Sequence, residues 1–312
     1  MAYQRTKNPP WSWSSSRKST FQECKRKYYY NYYLAHNGWE DSAPEESKLA
    51  YRLKKLTGIY LILGNAVHEI AEYACKSVDS TGEYPDKKKM IDKVRYLLNQ
   101  AWKESQEPHK WMARPNQYFM LQEFYYGDGL SRNLINKIKD RLYKAVNNLY
   151  QSPTVKDLVK SECTLEMAEK MDTFDFKDTP VYAIPDIVYT NQKGDWYVVD
   201  WKTGKEYKKH ADQLNLYALY IEEKLGVSPE NMKGRVEYLL TGNTKDVDIN
   251  QKSLKESRTK VARSIENMKE YLKDPGKNIP CDKEKFSLTE KKYMCKWCNF
   301  YELDREELGD IL

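Results

Sequence analysis

Residues 184–205 read IPDIVYTNQKGDWYVVDWKTGK. Val181 to Tyr189 is an apolar, β-branched run, and Trp196 to Lys202 is a second. Thr190-Asn191-Gln192-Lys193-Gly194-Asp195 separates them with turn chemistry, so the segment predicts a β-hairpin. Side chains alternate along a strand, which places Asp200 and Lys202 on one face and Trp201 on the other. Pairing back across the turn carries Asp186 toward the same site if the register closes. Two carboxylates suit Mg²⁺ or Mn²⁺, which take hard oxygen ligands and leave positions for water and phosphate. A nearby ammonium suits water orientation or charge stabilisation in phosphodiester chemistry. On D-x-K alone, a surface hairpin with an Asp–Lys ion pair is the more ordinary reading, so the rest of the chain has to decide.

Upstream, Leu61, Leu63, Val67, Ile70, Ala71 and Ala74 recur with helical period through Gly64-Asn65-Ala66-Val67-His68-Glu69-Ile70-Ala71-Glu72. His68, one of four histidines, and Glu72 lie one turn apart on this helix. Downstream, Asp212 to Tyr217 opens another helix, with Leu214, Tyr217, Ala218 and Ile221 on its buried side and Gln213 one turn before Tyr217.

Taken in order, these motifs resemble those of the PD-(D/E)XK nuclease superfamily, in particular its RecB-like branch of AddB-type and CRISPR-adaptation-type exonucleases. Gly64 to Glu72 is similar to the family's G-x-x-x-H-x-x-x-E helix, and Pro185-Asp186 to its first metal-ligand strand. Asp200-Trp201-Lys202 matches D/E-x-K, and Gln213 to Tyr217 matches Q-x-x-x-Y. The resemblance implies a divalent-metal-dependent DNA nuclease, an exonuclease on DNA ends or single strands, that hydrolyses phosphodiesters with metal-activated water. It implies metal ligation by His68, Asp186, Asp200 and the main-chain carbonyl of Trp201, water activation by Lys202, and positioning by Gln213 and Tyr217. Glu162 is a candidate for a further acidic position, and Glu72 for a minor role. A scaffold that binds nucleic acid in recombination without cutting is the alternative. The implied fold is α/β, a restriction-endonuclease-like core with a mixed central sheet flanked by helices, a helical N-terminal portion and a Cys-containing C-terminal segment.

Members of this branch often hold an iron–sulfur cluster with one N-terminal and three C-terminal cysteines. Here Cys24 precedes Lys25-Arg26-Lys27 and Tyr28-Tyr29-Tyr30, and Cys295 and Cys298 form C-x-x-C. Asp304 stands where the last cysteine is expected. The resemblance leaves open a [4Fe–4S] cluster on Cys24, Cys295 and Cys298 with Cys281 or Asp304 as the fourth ligand, a zinc site on the four cysteines, or simple packing. A zinc-stabilised interaction module would follow from the zinc alternative. Cys75 and Cys163 read as buried thiols.

The 312 residues, 40% hydrophobic, suffice for a packed core. No stretch has the roughly 20 apolar residues of a membrane span, and residues 1–19 lack a signal-peptide core, so no membrane partner and a reducing, cytoplasmic setting are expected. The net charge is +6, with local clusters at Lys25-Arg26-Lys27, Lys87-Lys88-Lys89, Lys208-Lys209 and Lys291-Lys292 that would attract DNA. A helicase, recombinase or other DNA-processing partner is compatible with the branch. Trp11, Trp13, Tyr28, Tyr29 and Tyr30, beside Arg17 and the first cluster, would either stack bases or pack helices. Along the chain we expect a helical portion over 1–150, with helices near 17–35, 47–57, 62–79, 87–106 and 117–150. The nuclease core then spans 151–250, and a helix over 251–273 leads into a Cys-rich end within 251–312 that packs back on the N-terminus, in one continuous domain.

Overall fold

The computed structural model describes residues 6–160, 163–169, 172–207 and 210–309. The N-terminal part is almost entirely helical: β1 (Trp13–Ser14), α1 (Ser15–Glu23), α2 (Lys25–Tyr29), α3 (Glu45–Lys54), α4 (Ile59–Thr81), α5 (Lys87–Glu104), α6 (Pro108–Ala113), α7 (Gln122–Tyr125), α8 (Arg132–Gln151) and α9 (Pro153–Val159). Strands follow as β2 (Cys163–Ala168), β3 (Thr173–Phe176), β4 (Thr179–Tyr182), β5 (Ile187–Asn191) and β6 (Trp196–Lys202). Then come α10 (His210–Leu225), β7 (Met232–Tyr238), β8 (Asn243–Asp248), α11 (Gln251–Lys269), β9 (Leu272–Asp274), β10 (Ile279–Pro280) and α12 (Arg305–Leu308).

The central sheet runs in the order β2-β5-β6-β7-β8. It is mixed: β6 and β7 are parallel, joined through α10, and the remaining pairs are antiparallel. Period-two alternation sends the strand side chains to two cores. Ile187, Tyr189, Val199 and Trp201 join α4, α5, α8 and α9 on one face. Val188, Val198, Val236 and Tyr238 join α10 and α11 on the other. The class is therefore the expected one, a mixed α/β sheet flanked by helices.

Helix α4 earns its length from the stripe Ile59, Ile62, Leu63, Ala66, Val67, Ile70, Ala71, Ala74, Cys75 and Val78, all buried. Burial of one such Ile or Val is worth roughly 1.5–3 kcal/mol. Leu61, expected in the stripe, is instead exposed, because it sits off this face. The helix ends at Gly82, whose φ of 72° is the left-handed conformation that glycine adopts without steric penalty.

Three expected elements divide. The apolar run Val181 to Tyr189 is two strands in different sheets: β4 pairs with β1 and β3, and β5 begins only after Pro185, which has no N–H to give a ladder. The helix over 117–150 is interrupted between α7 and α8, where Gly129 turns the chain at φ 89°. The helix over 17–35 breaks at Cys24, whose extended backbone caps both α1 and α2. In the N-terminal aromatic group Trp13, Tyr28 and Tyr30 are buried, as are Arg17 and Arg26. Arg17 donates to the hydroxyls of Tyr28 and Tyr33, so these residues pack helices and are not free to stack bases. No helix among the described residues is long and apolar enough to cross a membrane.

Candidate metal centre and active site

The hairpin closes in the register that brings the two aspartates together. Ile187 lies opposite Val199, and the turn is held by Asn191 N–H to Asp195 O and by Gly194 at φ 81°. Continued by one pair, that register sets Asp186 opposite Asp200. Asp186 Oδ2 accepts the Trp201 N–H at 2.7 Å, in place of the backbone partner that β5 no longer supplies. In an extended strand the N–H and C=O of one residue point to the same edge, so the Trp201 carbonyl faces this gap too. The Trp201 indole lies on the opposite face and donates to Glu237 Oε2 at 3.3 Å.

Asp200 is fully buried, and Lys202 Nζ donates to its Oδ1 at 2.8 Å. Its Oδ2 lies 2.6 Å from the same ammonium, outside hydrogen-bonding geometry, and accepts no hydrogen bond among the described residues. Burial, followed by the charge of Asp186, pushes the Asp200 carboxyl up to about 7 against the opposing pull of Lys202. Lys202 also donates to Gln213 Oε1 at 3.0 Å, and Gln213 donates onward to the Tyr217 hydroxyl. Burial holds the Tyr217 phenol well above its ordinary pKa, so it stays protonated.

His68 arrives from α4, on the other side of the sheet. Its Nδ1 lies 3.5 Å from both Asp186 Oδ2 and Glu169 Oε1. Burial works to lower the imidazolium pKa, but Asp186 and then Glu169 outweigh it and raise it to about 10. Close approach of α4 explains Gly64: a Cβ there would stand 3.1 Å from Thr203 Oγ1, just beyond β6.

Glu169 is the residue that sequence reasoning missed. Before it, Cys163 and Leu165 face the α4 core; a bulge between Leu165 and Met167 then reverses the alternation, and Met167 faces the α10 core. Glu169 therefore emerges on the face that carries Asp186 and Asp200. Its N–H donates to Asp186 O at 3.0 Å, and its backbone takes a φ of 41°, a strained value for glutamate. Glu162, the acidic position expected, lies outside the described residues, as do Lys208 and Lys209. Glu72 does not join the cluster; its carboxylate pairs with Lys76.

The donor set fits a hard divalent cation. Among the described residues, His68, Glu169 and Asp186 offer ligand atoms that all lie within 4.8 Å of one another. Asp200, expected as a ligand, does not join that group; both its oxygens lie within 2.8 Å of Lys202 Nζ. The cysteines make a poorer case for a four-thiolate cluster. Cys24, Cys295 and Cys298 are neighbours, and burial raises the Cys295 thiol and pushes that of Cys298 up to about 12. Asp304, however, accepts from Arg26 at 3.0 Å and from Tyr30 at 2.5 Å, and Cys281 packs against the α10–α11 core. Asp304 is thus committed elsewhere, whereas the Cys281 thiol is free and half-buried. Cys75 is fully buried, and no disulfide links any of the six cysteines.

Fold and site together are those of a restriction-endonuclease-like core with an acidic cluster that could hold a divalent cation at one end of its sheet. The profile of the PD-(D/E)XK nuclease superfamily matches residues 12–303, and the chain belongs to that superfamily. Members are in general metal-dependent phosphodiesterases acting on nucleic acid. No curated protein matches the chain significantly.

Proposed function

We propose that this protein is a divalent-metal-dependent deoxyribonuclease of the RecB-like branch, an exonuclease acting on DNA ends or single strands. The observation that carries the proposal is the convergence of His68, Glu169 and Asp186 from three separate segments of the chain, with the Asp200–Lys202 pair across the hairpin from Asp186. In this reading His68, Asp186, Asp200 and the Trp201 carbonyl hold Mg²⁺ or Mn²⁺, and Glu169 joins them. The bound cation supplies charge neutralisation at the phosphodiester and lowers the pKa of water.

The chain's own groups supply the rest. Asp200 and Gln213 grip Lys202 from two sides, which fixes its ammonium at the site edge for water orientation or stabilisation of developing charge. Tyr217 keeps Gln213 from rotating away. Asp186 doubles as acceptor for the Trp201 N–H, so its carboxylate is oriented before any ligand arrives.

The test is incubation with 5′- and 3′-labelled single- and double-stranded DNA in Mg²⁺ and Mn²⁺, alongside Asp200→Ala and Lys202→Ala. The reading requires metal-dependent shortening from an end by wild type and none by either variant. Cleavage at wild-type rate by either variant would refute the site assignment.

A further inference from the structure

The positive charge of this chain is not spread evenly. Helices α5 and α8 together carry eleven lysines and arginines against only Asp92, Glu104 and Asp140, a net +8 on two helices of a chain whose total is +6. Everything outside them is therefore slightly acidic. These helices pack against each other and against α4, and between them lies a groove of about 430 Å³.

The groove combines charge with aromatic surface. Arg95, Leu98 and Trp102 line it from one helical stripe of α5, and Ile135, Lys139 and Tyr143 from one stripe of α8. Among the described residues, no acidic side chain lines it. Trp102 and Tyr143 are 41% and 46% exposed, so their ring faces are open to a ligand in the groove. Lys139 makes no ion pair among the described residues, and Arg95 only a loose one with Asp92 at 3.7 Å. Ile59, in the first turn of α4, also lines the groove. That turn leads toward the metal centre: Tyr60 and Leu61 are exposed there, the Arg141 guanidinium stacks 4.5 Å over the Tyr60 ring, and His68 lies about 10 Å further along the helix from Leu61.

Resting on the nuclease reading above, we propose that the α5–α8 groove is a binding track for single-stranded DNA, which feeds the strand around the N-terminal turn of α4 to the metal centre. Arg95 and Lys139 contact phosphates, and Trp102 and Tyr143 stack on bases. The occupant is a single strand because only unpaired bases expose the faces that these aromatics can cover. A duplex would use the charges but not the rings.

Binding of a fluorescent oligothymidylate of about 20 nucleotides, followed by anisotropy in EDTA, tests the proposal without cleavage. Trp102→Ala/Tyr143→Ala should weaken it roughly 10-fold or more, with little effect on a duplex of the same length, since each stacked base contributes about 5- to 150-fold. Arg95→Gln/Lys139→Gln should flatten the salt dependence by about 1.4 in log–log slope, at ~0.7 per lost phosphate contact. Both variants should hydrolyse a short chromogenic phosphodiester, too small to reach the groove, at the wild-type rate, and should melt at the wild-type temperature. An iodouracil-substituted oligonucleotide should cross-link to peptides containing Trp102 or Tyr143. Unchanged oligonucleotide binding, equal loss on duplex, or cross-links confined to other peptides would overturn the track. Groove-dependent binding by a wild type that cuts nothing would refute the nuclease reading alone; cleavage by a wild type whose groove variants bind normally would refute the track alone.

Discussion

Glu237 is a buried carboxylate that neither ligates nor touches the metal centre, and its replacement tests whether the D-x-K strand is positioned from behind. It lies opposite Trp201 on β7 and accepts four hydrogen bonds: Ser152 Oγ at 2.5 Å, Thr154 Oγ1 at 2.6 Å, Thr154 N at 3.1 Å and Trp201 Nε1 at 3.3 Å. One carboxylate thus caps the N-terminus of α9 and pins the indole between Asp200 and Lys202. In Glu237→Gln the amide oxygen can keep Thr154, and the Ser152 hydroxyl can rotate to accept, but the indole N–H then faces another donor. A buried donor without an acceptor costs about 1–3 kcal/mol, and weakening of the remaining charge-assisted bonds adds to it, so we expect a loss of about 2–4 kcal/mol. Glu237→Leu orphans all four donors and should lose about 4 kcal/mol or more. Urea denaturation measures both. Trp201→Phe removes the indole N–H, so Glu237→Gln should cost at least ~1 kcal/mol less in that background. Additivity within about 0.5 kcal/mol, or a Glu237→Gln protein as stable as wild type, would refute the reasoning.

Four further outcomes follow from the same geometry. Glu169→Gln should weaken Mn²⁺ binding on the order of 10- to 100-fold by calorimetry while the fold persists; unchanged affinity would remove Glu169 from the centre. Metal-free protein should lose stability as pH rises from about 4 to about 10. The folded Asp200 and His68 both hold protons above their unfolded pKa values, so the folded state binds more protons than the unfolded one across that window, and ionisation there disfavours it. Melting temperatures in EDTA across pH check this, and Asp200→Asn should flatten the lower half of the slope. Asp304→Asn removes the buried one of Arg26's two carboxylate partners, leaving Glu307 at 3.0 Å, and should destabilise by about 1–3 kcal/mol in urea; a protein as stable as wild type would refute a structural role for the pair. With Asp304 committed to Arg26 and Tyr30, any iron and sulfide that elemental analysis finds in anaerobically purified protein should be lost in Cys281→Ser and kept in Asp304→Asn; the reverse would overturn that reading.

Much of the fold was legible because it is local. The hairpin declared itself through Asn191 to Asp195 and two β-branched runs, α4 through its apolar stripe, and α10 through Leu214, Ala218 and Ile221, all of them buried. What was illegible depends on events that leave no periodic trace. Glu169 reaches the site only because one bulge inverts the facing of β2, and straight alternation would have sent it to the α4 core. The run from Val181 to Tyr189 reads as one strand by composition, yet Pro185 and the competing pairing of Val181 with Trp13 split it. The aromatic and basic residues near Cys24 have the composition of a base-stacking surface; only tertiary packing shows that Phe286 and Tyr271 enclose them.

The arrangement of the site carries a consequence for how it forms. His68 comes from a helix on one face of the sheet, Glu169, Asp186 and Asp200 project on the other face, and Lys202 is held by a residue of α10. His68 reaches the carboxylates only when α4 has docked, and Lys202 is fixed from a second side only when α10 has, so the centre is complete only when both have docked. Their docking also concentrates three carboxylates at one sheet end, which repel one another until a cation, or the protons on Asp200 and His68, offset the charge. Metal binding and completion of the fold are then thermodynamically one event at this end of the molecule, and cation binding should release protons and tighten α4 against Thr203. Hydrogen exchange in the first two turns of α4 should slow on addition of Mg²⁺, while exchange in the groove-lining half of α8 should not; slowing spread equally over both helices would show that the cation acts on global stability and not on this joint.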